Sequence, residues 1–371
     1  MATLAARLDA RTKVGVLWHR EDGKVRCVAC AHRCLLRPGQ RGACKVRFHG
    51  EDGLRVPHGY VAGLAVDPVE KKPFYHVLPG SEVLTFGMLG CDLRCDYCQN
   101  WLTSQVLRDP EAVGRMQAAT PEQIVGAAVR SGVRMVVSSY NEPLITAEWA
   151  GAIFDEAATA GLPCAMVSNG HATPEVLDFL QPRLTAVKID LKGFHAGRYR
   201  RLGGDLRAIR RTLESVHRRG LWLEVVTLLV PGFNDDPGEL RELTRFLAGV
   251  SPRIPWHVTA FHPNYRSTAS RRTSARQLCA AAELGVEAGL KFVYAGNVPG
   301  QVAEWEDTRC PDCGTTVIRR TGFRVTGTRL LEGGVCPKCR CVLPGLWDAT
   351  GMGRLIRPGL PILNPPPPGV P

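Results

Sequence analysis

The sequence predicts an α/β fold built on parallel strands, and three observations carry that expectation. Short β-rich runs recur between residues 82 and 296, helical segments with readable starts lie between them, and chemically informative residues follow the runs. The runs cover 82–88, 133–140, 163–169, 184–192, 221–230, 256–261 and 290–296, each apolar enough to be buried on both faces. After the first run, Thr120-Pro121-Glu122-Gln123 supplies an N-cap, a proline for the first turn and a capping-box glutamine, and Gly132 follows the helix. Thr173-Pro174 opens another helix in the same way. Alternation of this kind leaves an α/β barrel and a doubly wound sheet both open. In a barrel, the residues just past the strands share one mouth. Here those are the cysteines after the first run, then Asn141-Glu142-Pro143, Asn169-Gly170 and Lys192-Gly193.

With 371 residues and 44% hydrophobic content, the chain can bury one large domain and one or two small modules, which excludes a wholly disordered protein. The N-terminal stretch lacks the apolar core of a signal peptide, and no stretch is long enough to span a membrane, so a cytoplasmic protein without membrane attachment is expected. In a reducing compartment 14 cysteines point to metal or redox chemistry. Cys164 and Cys279 stand alone and read as small buried apolar residues. The remainder fall in three groups.

The central group, Cys91-Asp-Leu-Arg-Cys95-Asp-Tyr-Cys98, follows the first run directly. Three thiolates on one loop can bind three irons of a [4Fe–4S] cube and leave the fourth iron open to a small molecule. Zinc is the competing reading, weakened because it prefers four ligands and the loop offers no fourth. The C-terminal group, Cys310-Pro-Asp-Cys313 and Cys336-Pro-Lys-Cys339, has the two-knuckle spacing of a structural zinc site, with Cys341 as a near neighbour. The N-terminal group, Cys27, Cys30, Cys34 and Cys44, with His32 as a bystander, reads as one site for zinc or an auxiliary cluster. The turn at 38–42 returns Cys44 to the other three. The organisation expected is a Cys-rich segment over 1–75, a barrel over 76–305, a zinc-ribbon-like module over 306–350 and a proline-rich tail over 351–371.

These motifs resemble the radical S-adenosylmethionine superfamily, in the branch related to pyruvate formate-lyase activating enzymes. The segment DPVEKKPFYHVLPGSEVLTFGMLGCDLRCDYCQNW, followed by SSYNEPLI, is similar to the radical enzyme of the AmmeMemoRadiSam system. The resemblance implies a partial (β/α)6 barrel of the TIM type, with a [4Fe–4S] cluster and S-adenosylmethionine at its open end. It implies cluster ligation by Cys91, Cys95 and Cys98, with Tyr97 beside the cofactor. Tyr140-Asn141-Glu142-Pro143 stands where the family carries Gly-Gly-Glu-Pro, so Asn141 and Glu142 are expected at the cofactor's methionine ammonium. Ser168, Asn169, Asp190 and Lys192 are expected around the methionine and ribose, Lys192 at the carboxylate, and His262 near the ribose. The implied partners are AMMECR-type and Memo-type proteins and an electron donor such as flavodoxin or ferredoxin. The implied reaction is reductive cleavage of S-adenosylmethionine to a 5′-deoxyadenosyl radical that abstracts hydrogen from a substrate, with a protein or peptide as one candidate.

A formal net charge of +12, concentrated by Arg198, Arg200, Arg201, Arg207, Arg210, Arg211, Arg218 and Arg219, suits an anionic partner. Nucleic acid is therefore the competing partner, either for a zinc-dependent binding protein or for a radical enzyme acting on RNA. It is not favoured, because no recognition module accompanies the charge.

Overall fold

The computed structural model of the chain describes residues 3–347. The proline-rich stretch over 351–371 lies outside the described residues. Eight strands form the main sheet: β1 (Gly63–Pro68), β2 (Glu82–Gly87), β3 (Val136–Ser138), β4 (Cys164–Ser168), β5 (Ala186–Asp190), β6 (Trp222–Leu229), β7 (Trp256–Ala260) and β8 (Val293–Gly296). Each pairs with its sequence neighbour, β1 with β2 antiparallel and the rest parallel. A doubly wound sheet reverses its strand order at a switch point. This sheet never does, and β1 and β8 remain as its two edges. The expectation of six strand–helix units meets seven parallel strands joined by six crossovers.

The helices of those crossovers are α1 (Pro121–Arg130), α2 (Ala147–Thr159), α3 (Pro174–Leu180), α4 (Leu206–Arg218), α5 (Pro237–Val250) and α6 (Ala275–Glu287). Thr120 and Gln123 form the capping box that opens α1, and the Thr173 hydroxyl caps α3. Each such cap satisfies an otherwise orphaned N–H and stabilises its helix by about 1 kcal/mol. The parallel strands are buried nearly end to end because helices cover them. Trp149 on α2 and Trp256 on β7 are the largest fully buried side chains, and Trp256 donates its Nε1–H to Thr227 Oγ1 at 3.0 Å. That bond satisfies the indole's one polar atom inside the core.

The main sheet begins inside the segment assigned to 1–75, because β1 covers the outer edge of β2. An uncovered edge would expose a row of unpaired backbone groups. Ahead of β1 lie two small antiparallel sheets beside the main sheet. Arg47 fastens them: its guanidinium meets both carboxylate oxygens of Glu148 on α2 at 2.7 and 2.8 Å. Burial alone would raise the Glu148 carboxyl, but Arg47 holds it below the usual range. Behind β8, the hairpin β9 (Thr316–Thr321) and β10 (Arg324–Thr328) is fastened by a second arginine. Arg320 lies 3.4 Å from Glu70 and donates to Tyr75 O at 2.8 Å and Thr308 Oγ1 at 2.7 Å. Among the described residues no helix is long and apolar enough to cross a membrane.

Candidate active site

The sequential sheet brings the ends of β2 to β8 to one rim, and a cavity of about 480 Å³ opens there. Cys91, Cys95, Cys98, Tyr97, Asn141, Glu142, Ser168, Asn169, Asp190 and Lys192 all line it. His262 does not. Its ring is held outside, with Nε2 at 3.1 Å from Asn297 O and Nδ1 at 3.3 Å from Arg272. The position after β7 was legible; the direction of the side chain is set by these two partners, which adjacency in sequence does not reveal. Asn297 itself lines the cavity, as do Lys72 from the N-terminal side and Phe323 from the turn between β9 and β10.

The cysteine loop leaves β2 through Gly90, whose φ of +96° suits glycine and whose missing Cβ would sit 2.8 Å from Val46. Leu93 N–H points at Cys91 Sγ at 3.4 Å, and Cys98 Sγ lies 3.2 Å from Ser104 Oγ. Burial pushes all three thiols up, Cys95 to about 12, so metal binding there must displace protons. The three sulfurs form no group within 4.8 Å. Zinc, at 2.3 Å from each ligand in a tetrahedron, holds its sulfurs about 3.8 Å apart. Thiols that stay farther apart do not close on one zinc ion. The Tyr97 hydroxyl is buried without a partner on the same wall.

Glu142 is held from three sides. Its carboxylate accepts from Leu144 N at 3.1 Å, Ser168 Oγ at 2.7 Å and Asn169 N at 2.8 Å. Burial, then the nearby Asp92 charge, nevertheless push its carboxyl up to about 8. A cationic group entering the cavity would relieve both causes. Asn141 ties this loop to the cysteine loop, accepting from Met88 N at 2.9 Å. Tyr140, at the first of the two absent glycines, has φ +71°, so the backbone keeps a glycine-like path with a tyrosine in it. Its strain is offset by a hydrogen bond to Asp67 at 3.0 Å and by the Lys72 ammonium 4.5 Å above its ring.

On the opposite wall Asp190 lies between Lys188 and Lys192, the latter at 3.1 Å. Burial would raise its carboxyl, but the two ammonium groups hold it well below the usual range, and Asp190 in turn holds Lys192 above its own. Lys192 thus faces the cavity already balanced by one carboxylate.

Two further residues escaped the sequence reading. Asp92, next to Cys91, accepts from Asn169 Nδ2 at 2.8 Å, and His171 Nδ1 lies 2.8 Å from its other oxygen. Asp92 and His171 carry no motif of their own; only adjacency to Cys91 and to the Asn169-Gly170 turn marks them.

The flanking cysteine groups differ. Cys310, Cys313, Cys336 and Cys339 have all four sulfurs within 4.8 Å, with Cys310–Cys339 at 3.4 Å and Cys313–Cys336 at 3.7 Å, which is zinc-like spacing. Cys341 is not among them. The sulfurs of Cys27, Cys30, Cys34 and Cys44 form no such group. The arginine-rich region is partly spent on the fold: Arg198 pairs with Glu239, Arg219 with Asp178, and Arg210 covers the Phe246 ring.

Three thiols, a carboxylate and ammonium groups suited to an amino-acid moiety line one cavity, an arrangement fit to bind a small charged cofactor beside a metal group. The profile of the radical SAM superfamily matches residues 86–247. The uncharacterized protein MJ0808 of Methanocaldococcus jannaschii is 36% identical over 309 residues, 82% of this chain and 90% of that protein. Among solved structures, a domain of the pyruvate-formate lyase-activating enzyme from Bacteroides vulgatus is similar at 19% identity and TM-score 0.40, over 44% of this chain and 99% of that one. A radical SAM methyltransferase from Sphaerobacter thermophilus is similar at 16% identity and TM-score 0.46, over 79% and 81%. Residues 86–247 thus form a radical SAM superfamily domain, and the protein is a radical SAM enzyme.

Proposed function

We propose that Cys91, Cys95 and Cys98 ligate a [4Fe–4S] cluster at the open end of a partial (β/α)6 barrel, with S-adenosylmethionine on the iron they leave free. When bound, the cluster supplies the electron that splits S-adenosylmethionine into methionine and a 5′-deoxyadenosyl radical, which takes hydrogen from the substrate. The observation that carries this reading is the convergence of the three thiols, Glu142 and the Asp190–Lys192 pair on one cavity.

The residues divide the work by charge. Glu142, fixed by Ser168 and Asn169, accepts the methionine ammonium and ionises as it does so. Lys192 meets the carboxylate while Asp190 keeps it oriented. Tyr97 offers its unpartnered hydroxyl, and Phe323 helps keep water from the radical's path. Cys310, Cys313, Cys336 and Cys339 bind a structural zinc that folds the module carrying Phe323. The substrate is a protein or peptide presented with AMMECR-type and Memo-type partners, as in the AmmeMemoRadiSam system, and the electron comes from a flavodoxin- or ferredoxin-type donor.

The test is anaerobic reconstitution with iron and sulfide, reduction, addition of S-adenosylmethionine and quantitation of 5′-deoxyadenosine by mass spectrometry. Product that disappears in Cys98→Ala is the expected result. A fully reconstituted, reduced protein that makes none would overturn the reading.

A further inference from the structure

We propose that Cys27, Cys30, Cys34 and Cys44 bind a second [4Fe–4S] cluster and that this cluster relays single electrons to the Cys91–Cys95–Cys98 site. The first argument is spacing. The C-terminal cysteines close to zinc distances, whereas the N-terminal set forms no group within 4.8 Å. Its four cysteines nevertheless lie on adjoining segments: Cys27 N–H donates to Cys34 O at 2.9 Å, Arg33 N–H closes a turn on Cys30 O at 3.0 Å, and Ala43 N–H, beside Cys44, points at Cys34 Sγ at 3.3 Å. Four neighbouring cysteines whose sulfurs do not close to the spacing of one zinc ion match a cube with an iron behind each sulfur.

Cys30 has a competing grouping, since its sulfur lies within 4.8 Å of Asp92 and His171. That trio is not a metal site, because both imidazole nitrogens are already engaged. Nδ1 faces the Asp92 carboxylate at 2.8 Å, and Nε2 accepts from Asp205 N–H at 3.2 Å. The ring is a hydrogen-bonding bridge between Asp92 and Asp205, and Cys30 remains available to its own set.

The second argument is placement. Asp92, beside Cys30, is the residue after Cys91. Arg108 joins the two loops, donating to Cys91 O at 2.7 Å and to Ala43 O. His32 Nε2 adds a contact to Asp92 O at 3.1 Å. The two cysteine sets therefore share one hydrogen-bonded wall. A cluster with four protein ligands has no open iron for S-adenosylmethionine, which leaves electron transfer as its chemistry. A reduced low-potential carrier loses one electron to the second cluster. That cluster passes it to the first and returns to its oxidised state, with no bond or proton moved. The relay role rests on the radical reading above; the binding site does not.

The test uses the full chain, reconstituted anaerobically, beside a Cys91→Ala/Cys95→Ala/Cys98→Ala variant. The native chain is expected to hold about eight irons and about eight sulfides, the variant about four of each. Zinc should stay near one equivalent in both. A native chain with about four irons and a second zinc, or a folded variant without iron, would overturn the site. The native count does not depend on the variant folding. In the reduced native protein, spin coupling should broaden the electron paramagnetic resonance signal and disappear in the variant; two signals that simply add would overturn the relay. A protein with two clusters that makes no 5′-deoxyadenosine would defeat the radical reading and leave the site standing. One that makes it with a single cluster would do the reverse.

Discussion

Two cysteine-bearing modules flank the same parallel sheet, and each is pinned to its neighbour by a buried arginine–glutamate pair, yet they are built for different tasks. At the C-terminal module the sulfurs come as close as 3.4 and 3.7 Å. At the N-terminal one they stay apart, and Cys30 reaches toward Asp92 on the Cys91 loop. The pins differ as well. Arg47 grips both oxygens of Glu148, whereas Arg320 reaches a single oxygen of Glu70 at 3.4 Å, and burial leaves the Glu70 carboxyl raised in spite of it. Spacing and grip together distinguish a module whose thiols close to zinc-like spacing from one fastened tightly to the flank of the sheet.

The largest effect that would sharpen this contrast is removal of the zinc proposed for the C-terminal module. Chelation, or Cys336→Ser, should unfold the C-terminal module alone, because structural zinc supplies about 10–16 kcal/mol of apparent binding energy to such units. Hydrogen exchange should show loss of protection over 308–343 with the sheet still protected. Loss across the whole chain would break the separation between the modules.

The next effect concerns the pins. Arg47→Ala leaves Glu148 buried without its partner and should cost about 3–5 kcal/mol in urea unfolding. Arg320→Ala should cost less, since its ion pair is the looser; the reverse order would contradict the comparison. At the site between the modules, Glu142→Gln keeps the shape and removes the charge. It should weaken S-adenosylmethionine binding roughly 10- to 100-fold, the worth of a charged hydrogen bond at about 1.5–3 kcal/mol. Equilibrium dialysis would read it, and unchanged affinity would remove Glu142 from the ammonium contact.

The smallest effect is one of pH. His76 is buried between Pro344 O at 2.7 Å and the Tyr294 hydroxyl at 2.6 Å, so it holds the C-terminal module in neutral form. Burial lowers its pKa from 6.5 to about 4, Glu224 opposing, with Arg320 and His257 adding to the drop. Between those values the unfolded chain binds more protons than the folded one, so stability rises with pH across that window and is lost on acidification. Differential hydrogen exchange at pH 5 and 7 should show the 330–347 segment loosening first at the lower value. In His76→Gln that difference should shrink.

Much of this was legible in the chain itself. The β-rich runs before Cys91, Glu142, Asn169 and Lys192 are strands because continuous apolar residues suit a sheet buried on both faces. Thr120 and Thr173 marked helix starts through their local hydrogen bonds. What escaped depends on three dimensions. β1 contains Asp67 and Pro68 and pairs at an edge, so its pattern is weak, although it shields the sheet. Sulfur–sulfur spacing depends on how loops fold back, and the intervals 27–30–34–44 hold no record of it. The left-handed Tyr140 follows from tertiary contacts to Asp67 and Lys72 that no local rule anticipates. Phe323 enters the cavity from a hairpin more than two hundred residues beyond the cysteine loop.

The measurement that bears most directly on the central claim is electron paramagnetic resonance of the reduced, reconstituted protein with and without S-adenosylmethionine. The account predicts that the cofactor shifts the signal arising from the Cys91–Cys95–Cys98 site, and that Cys98→Ala shows no such shift. A native spectrum indifferent to S-adenosylmethionine would contradict it.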